Sequence, residues 1–293
     1  MGVWLPRRLR GPRARPARGA RPTHVQGDDL VLQGTRVISC LQGEMSVTSV
    51  GIIGFGRFGQ LCARHLAPHF DVVAYSRKNR TTRAHEMGVQ LVGLGECARQ
   101  DIVIISVSIS AFERVVEQIA AHVKGDALVI DVCSVKEHPV AVMERLLPAT
   151  VRCVGSHPLF GPDTARDSVA GHTVALTPVR NAPLDDVRTF LERLGLTVIV
   201  TTPEEHDVQM ARSLALLHFV GSALAAIDIG RVTLSTATHA RLLEVVDIVN
   251  NDSRQLLEDM HTYNRHAGAV RRELIKALED LDHELTGAAA KRS

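Results

Sequence analysis

Ser49-Val50-Gly51-Ile52-Ile53-Gly54-Phe55-Gly56-Arg57-Phe58-Gly59 is the stretch on which the fold turns. A short apolar run ends on G-x-G-x-x-G and passes directly into a helical pattern over Arg57 to Leu66. Alone, the three glycines are a weak signal; between a strand and a helix they have a mechanism. Gly54 permits the tight turn, Gly56 lets backbone approach a pyrophosphate, and Gly59 lets the helix pack closely on the sheet. The helix N-terminus then offers free N–H groups and partial positive charge to the phosphates. Gly54, Phe55, Gly56, Arg57, Phe58 and Gly59 are therefore read as the cofactor loop.

Outward from this loop, apolar runs alternate with helical patterns as far as Val200, which predicts a parallel α/β sheet of the Rossmann type. Strands are expected at Ser49 to Gly54, Val72 to Ser76, Ile102 to Val107, Ala127 to Val132, Arg152 to Gly155, Thr173 to Thr177 and Thr197 to Val200. Helices are expected at Arg57 to Leu66, Arg83 to Met87, Ala111 to His122, Pro139 to Leu147 and Leu184 to Leu194. Ser106 and Val107, ending the third strand, fall beside the glycine loop. The end of the second strand chooses the cofactor. An NAD site places an acid there for the ribose 2′-hydroxyl; this chain has Ser76, Arg77, Lys78, Asn79 and Arg80, whose cations suit a 2′-phosphate. NADP is the expected cofactor, with NAD the alternative.

After Thr202 the character changes. Pro203 followed by Glu204 and Glu205 makes a helix start, and no strand pattern follows before Thr286. The expected organisation is a dinucleotide-binding domain over 45–202, an all-helical domain over 203–286 and a ragged tail over 287–293. Apolar residues such as Leu214, Leu216, Leu217, Val220, Leu224, Leu242, Leu243, Val245 and Val246 surround more than one helical stripe, so this domain is expected to form a homodimer.

Residues 1–44 hold eight of the 34 Lys and Arg against three acids, with four prolines among the arginines. Such a segment has too few apolar groups to offset its ordering entropy and is expected to be disordered. Met45 is the expected natural start, with the leader an upstream extension that intact mass would confirm or refute. From residue 45 on, 26 basic residues face 29 acidic ones, a net −3, so the overall +2 belongs to the leader and a nucleic-acid role loses its main support. No contiguous apolar run approaches the ~20 residues of a membrane helix, and no membrane span is expected. Five scattered cysteines without a CxxC pair or metal-like spacing read as reduced thiols of a cytoplasmic protein, with no metal site.

Two further segments carry chemistry at strand ends: Asp131-Val132-Cys133-Ser134-Val135-Lys136 and Gly155-Ser156-His157-Pro158-Leu159-Phe160-Gly161-Pro162-Asp163. In an open α/β sheet the carboxyl ends of the strands face the ligand crevice, so Ser134 and His157 should converge near a bound cofactor. A histidine is suited to taking a hydroxyl proton near neutral pH, and a serine beside it can orient it.

At these residues, with the glycine loop and Glu205-His206-Asp207 leading to Leu217-His218-Phe219, the chain resembles the prephenate/arogenate dehydrogenase family of tyrosine biosynthesis, over about Val47 to Arg265. The resemblance implies a nucleotide domain followed by a helical dimerisation domain, and an NAD(P)-dependent oxidative decarboxylation of a cyclohexadiene carboxylate, prephenate to 4-hydroxyphenylpyruvate. It implies that His157 accepts the ring hydroxyl proton, that Ser134 positions His157 or the hydroxyl, that Lys136 holds the loop or a carboxylate, and that His218 contacts the substrate side chain.

The sequence departs from the family where prephenate users carry a carboxylate-binding arginine. Near Asp247 the stretch is acidic or apolar, and the nearest arginines are Arg241 and Arg254. Either Arg241 or Arg254 substitutes from a shifted register, or the substrate differs and Asp247 faces an amine, since opposite charges within ~4–6 Å favour each other. The amine-bearing substrates would be arogenate, with the amine on the side chain, or 4-amino-4-deoxyprephenate of natural-product pathways, with it on the ring. A β-hydroxyacid or imine reductase is disfavoured because the helix from Pro203 offers no lysine. A non-catalytic nucleotide-binding regulator would have no use for Ser134, Lys136 and His157 together.

Overall fold

The computed structural model describes residues 48–290. The leader expected to be disordered lies outside these residues. The elements run β1 (Ser49–Ile53), α1 (Arg57–Leu66), β2 (Asp71–Tyr75), α2 (Thr81–His85), β3 (Gln90–Leu91), α3 (Leu94–Ala98), β4 (Ile102–Ile105), α4 (Ile109–Ile119), β5 (Leu128–Asp131), α5 (Glu137–Leu146), β6 (Arg152–Pro158), β7 (Thr173–Arg180), α6 (Leu184–Arg193) and β8 (Thr197–Val200). Four helices follow: α7 (Pro203–Ala226), α8 (Ala237–Asn251), α9 (Arg254–Tyr263) and α10 (Ala267–Ala290).

The eight strands form one sheet in the order β3-β2-β1-β4-β5-β6-β7-β8. The central strands read as unbroken apolar runs because both faces are covered by helices. Ile53, Val103, Ile105 and Val129 pack with Phe112, Val116, Ile119 and Met143 on one side, while Val50, Ile52 and Ile104 pack with Ala63 and Phe70 on the other.

The sheet is not parallel throughout: β7 runs antiparallel to β6. No helix crosses over between them, and a parallel return needs such a crossover. β8 then pairs parallel to β7. The seven expected strands are all present; β3, two residues long, and α3, five, were too short to leave a periodic signal.

Thr202 caps α7 with a reciprocal pair: its hydroxyl accepts from Glu205 N at 3.2 Å, and its own N–H donates to the Glu205 carboxylate at 3.2 Å. The helix loosens into a π-turn at Ala211–Ala215 and continues to Ala226. By length and composition alone α7 is long and apolar enough to cross a membrane, its apolar residues being spread along the helix and not gathered in one run. It nevertheless buries His206, Asp207 and His218. The last helix runs to Ala290, four residues past the expected end at Thr286.

Acids of the helical region cap helices of the sheet region. Asp207 of α7 accepts from the backbone N–H groups of Lys136 (2.7 Å) and Glu137 (3.0 Å) at the start of α5. Asp259 of α9 accepts from the N–H and hydroxyl of Ser110, both at 3.1 Å, in the first turn of α4. Both carboxylates are buried, so each meets the positive end of a helix dipole out of water.

Candidate active site

The glycine loop has the shape a dinucleotide requires. Gly54 has φ +105°, and a Cβ there would lie 2.1 Å from the Ser106 carbonyl oxygen. A Cβ on Gly59 would lie 2.0 Å from the Gly54 carbonyl oxygen, so only glycine lets α1 sit this close to the turn. A Cβ on Gly56 would meet nothing within 4 Å. The backbone there faces open space, and Gly56 caps α1 without a side chain, leaving the first N–H groups of the helix for phosphate oxygens. Ser106 and Val107 form the floor beneath Gly54. These residues fit a dinucleotide.

Arg57, on the rim of the loop, reaches across to the helical region. It pairs with Asp163 at 2.5 Å, donates to the Asn251 carbonyl at 2.9 Å, and lies 3.7 Å from Asp252. At the end of β2, the Ser76 hydroxyl closes a local turn on the Lys78 carbonyl at 2.8 Å, while Arg77, Lys78 and Arg80 stand exposed.

His157 is placed by β6 and is buried. Its Nδ1 lies 2.8 Å from Nε2 of His206, whose Nδ1 lies 2.7 Å from Asp207 Oδ1. Burial, then the charges of His206 and Lys136, hold the His157 imidazole well below the ordinary histidine range. It is neutral at physiological pH and available as a base.

The expected Ser134 contact to His157 is replaced by this bond to His206. Ser134 Oγ is buried and has no hydrogen-bond partner among the described residues, which leaves a donor for an incoming molecule. Lys136 is completely buried: Nζ pairs with the Asp131 carboxylate and donates to the Ser156 carbonyl at 2.6 Å. Asp131 accepts in turn from Cys133 N and Ser156 N. Of the two roles expected for Lys136, the structure gives it the loop: it ties β5 to the strand that carries His157, and its ammonium is spent inside the protein.

His218, from α7, is buried with Nε2 3.7 Å from Asp252 Oδ2. Burial lowers the His218 pKa against the pull of Asp252, and burial raises the Asp252 pKa against the pulls of His218 and Arg57. Asp247 does not take this place. It lies on the solvent side of α8 and pairs with Arg231 at 3.4 Å, while the helix turns Leu243, Val246 and Val249 inward. Arg254 is exposed as well and pairs with Glu258 one turn on, at 2.9 Å. The acid of the helical region that approaches the glycine loop, beside Asp163 of the sheet region, is Asp252, one residue past the end of α8.

His206, Asp207 and Asp252 were present in the motifs read from sequence but carried no role. The available signal was two adjacent titratable residues, His206 and Asp207, in the first turn of a helix where solvated acids are the norm. Nearby, Glu137, Glu204 and His266 bring ligand atoms within 4.8 Å of one another, and Arg265 already supplies the countercharge at 2.8 Å from both carboxylates.

A Rossmann-type sheet with a phosphate cradle, a buried neutral histidine at a strand end and a helical region closing over it defines an NAD(P)-dependent oxidoreductase fold. Comparison with known proteins narrows this. A family model described as the prephenate dehydrogenase nucleotide-binding domain matches residues 63–200, and one described as the TYRAAT1-like C-terminal domain matches residues 223–293. Arogenate dehydrogenase 2, chloroplastic, of Arabidopsis thaliana is 26% identical over 254 residues, covering 83% of this chain and 71% of its own length. A probable arogenate/prephenate dehydrogenase of Methanocaldococcus jannaschii is 33% identical over 192 residues, 62% of this chain and 42% of its own. Prephenate dehydrogenase from A. aeolicus, solved with hydroxyphenyl propionate and NAD+, shares the fold with a TM-score of 0.68 at 22% identity, covering 83% of this chain and 92% of that one. Over residues 63–200 the chain matches the prephenate dehydrogenase nucleotide-binding family, and its similar relatives are arogenate and prephenate dehydrogenases. It spans 71% of the length of the first of these relatives and under half of the second.

Proposed function

We propose that this chain is an NAD(P)-dependent dehydrogenase that oxidatively decarboxylates a 4-hydroxycyclohexadiene carboxylate, with His157 as the base. The observation that carries this reading is His157 itself: buried, held neutral by its surroundings, and hydrogen-bonded through Nδ1 so that Nε2 is left for substrate. A nicotinamide dinucleotide whose pyrophosphate is held by Gly54 to Gly59 would supply the acceptor for the hydride of the hydroxyl-bearing ring carbon. His157 Nε2 takes the hydroxyl proton as the carbon–oxygen bond gains double-bond character. The bond from ring to carboxylate then breaks, CO2 leaves, and its electron pair completes the aromatic ring as a phenolate. His157 returns the proton to the phenolate oxygen, which closes the proton cycle. Ser134 Oγ, without a protein partner, is assigned to the substrate hydroxyl.

Asp252 supports a choice of substrate. A carboxylate beside a buried histidine suits the side-chain amine of arogenate better than the keto acid of prephenate. Arogenate is thus the preferred substrate, with prephenate and 4-amino-4-deoxyprephenate next. Arg77 and Lys78 support NADP over NAD. Exposed apolar side chains along α7 and α8, among them Val208, Leu217, Leu242 and Ile248, support a homodimer formed by the helical domain over 203–286. Four free thiols among the described residues, three of them buried, support a cytoplasmic location. Measuring kcat/KM for the three substrates with each cofactor tests the assignment. The expected order puts arogenate with NADP first; prephenate turned over more efficiently than arogenate refutes the role of Asp252, and equal kcat/KM with NAD refutes that of Arg77 and Lys78.

A further inference from the structure

Behind His157 stands a second imidazole and then a carboxylate, and the hydrogen-bonding capacity of each fixes the state of the next. Asp207 Oδ1 accepts from Lys136 N at 2.7 Å and Oδ2 accepts from Glu137 N at 3.0 Å, so the group acts as an acceptor. The His206 Nδ1 that lies 2.7 Å from Oδ1 must then be the protonated nitrogen. A neutral His206 carries one proton, which leaves its Nε2 as a lone pair, and that lone pair faces His157 Nδ1 at 2.8 Å. His157 must therefore carry its own proton on Nδ1 and present an unprotonated Nε2. With His206 neutral, the chain of three groups permits one arrangement of protons, and it is the one in which His157 is a base.

We propose that His206 and Asp207 form a relay that sets the tautomer of His157 and holds the abstracted proton's charge until the product collects it. The proposal rests on His157 being the base in the function above. As the substrate O–H bond breaks, an N–H bond forms at His157 Nε2, and the proton on Nδ1 passes to His206 Nε2. His157 is then neutral again, and the imidazolium is His206, directly against the Asp207 carboxylate. The reverse transfer returns one proton to the phenolate, so the relay ends as it began and needs no co-reactant.

The surroundings favour moving the charge one ring back. His157 is faced by the ammonium of Lys136, which ends beside the Ser156 carbonyl and the Asp131 carboxylate, so a cation on His157 would have another cation for a neighbour. His206 instead has Asp207, itself fixed by two N–H groups at the start of α5 and by the Asn264 side chain, which donates to the Asp207 carbonyl at 2.7 Å. All members are buried, where charge–charge effects are least screened. The placement also explains why the helical region docks as it does: the contact that caps α5 is the contact that orients the base.

Two readouts test this. In the ligand-free protein, long-range 15N–1H NMR should show both His157 and His206 as Nδ1–H tautomers, and in His206→Ala the His157 signal should move toward the Nε2–H form. An Nε2–H tautomer of His157 in the unaltered protein overturns the proposal whatever the enzyme's activity. In kinetics, His206→Ala should lose ~100-fold in kcat, within the range for general-base assistance, with cofactor Kd unchanged. The acid limb of its pH profile should move down, because the variant lacks the ring that holds the proton against the Asp207 carboxylate. His206→Gln can keep the hydrogen bond to His157 but cannot hold a proton, so it should remain at least ~20-fold impaired. Recovery of His206→Gln to within ~5-fold of the unaltered enzyme overturns the proton-holding role, and an unmoved acid limb in His206→Ala overturns the relay. Total loss in His157→Asn alongside normal His206 variants would refute the relay and leave the function standing.

Discussion

Two buried imidazoles in this protein meet a carboxylate in different ways. His157 reaches Asp207 only through a second ring, and every distance along the path lies within hydrogen-bond range. His218 faces Asp252 directly but at 3.7 Å, beyond a good hydrogen bond, with Arg57 as far from the same acid on its other side. The first arrangement is closed: each polar atom from His157 Nδ1 back to Asp207 is matched, and the proton positions follow. The second is open: its groups are near enough to feel one another and too far apart to be satisfied. A closed network suits a group whose protonation state must be set before substrate arrives. An open one suits groups that complete their bonding with a ligand.

Breaking the closed network should cost most. Replacing His157 by Asn removes the base and should lower kcat by about 10²–10⁴-fold while cofactor binding, read by fluorescence titration, stays within a factor of two or so. Loss of cofactor affinity to the same extent would mean that His157 is structural. One step back, Lys136→Met leaves Asp131 as a buried carboxylate without its cation. Removing one partner of a buried pair costs about 3–5 kcal/mol, so the melting temperature should fall steeply. A variant as stable as the parent would show that Lys136 does not hold β5 to β6.

Altering the open network should change preference more than rate. Asp252→Asn removes a charge but keeps the shape, and should lower kcat/KM for arogenate by about 10–100-fold, the scale of one charged hydrogen bond, with little loss for prephenate. Equal losses for both substrates would remove Asp252 from side-chain recognition. Arg77→Ala, on an exposed loop, should raise KM for NADP by less than about tenfold and leave NAD unaffected.

The two histidines also share one expected behaviour. Burial lowers the pKa of His157 and His218, and of His138 and His261, so the unfolded chain takes up protons near ~6.5 while the folded protein does not until lower pH. Stability from these groups is present above the unfolded value and is lost as pH falls through the folded ones. The melting temperature should decline between about pH 7 and pH 5; a flat profile would contradict the burial of these rings.

The closed and open regions also differ in how far they could be read from sequence. The glycine loop, the strand ends and the start of α7 follow from neighbours within a few residues, and there the expected and observed elements agree: Arg57–Leu66 is helical at both of its expected limits. The reversal of β7 was not legible, because apolar alternation is the same in either direction and only the absent crossover helix carries the information. His157 and Ser134 stood out at strand ends, but the partner of His157 comes from 49 residues along the chain, and nothing local says that His206 turns inward. Asp247 drew attention because it sits mid-helix where an arginine is expected. The stripe of Leu243, Val246 and Val249 turns it outward, and the acid beside His218 is Asp252, five residues on.

The account is tested most directly by stoichiometry. Enzyme, arogenate and NADP mixed in a closed cell should yield reduced nicotinamide and CO2 in a ratio of one to one, with the aromatic product rising at the same rate. Nicotinamide reduction without CO2, or no reduction with any of the three cyclohexadienes, would contradict it.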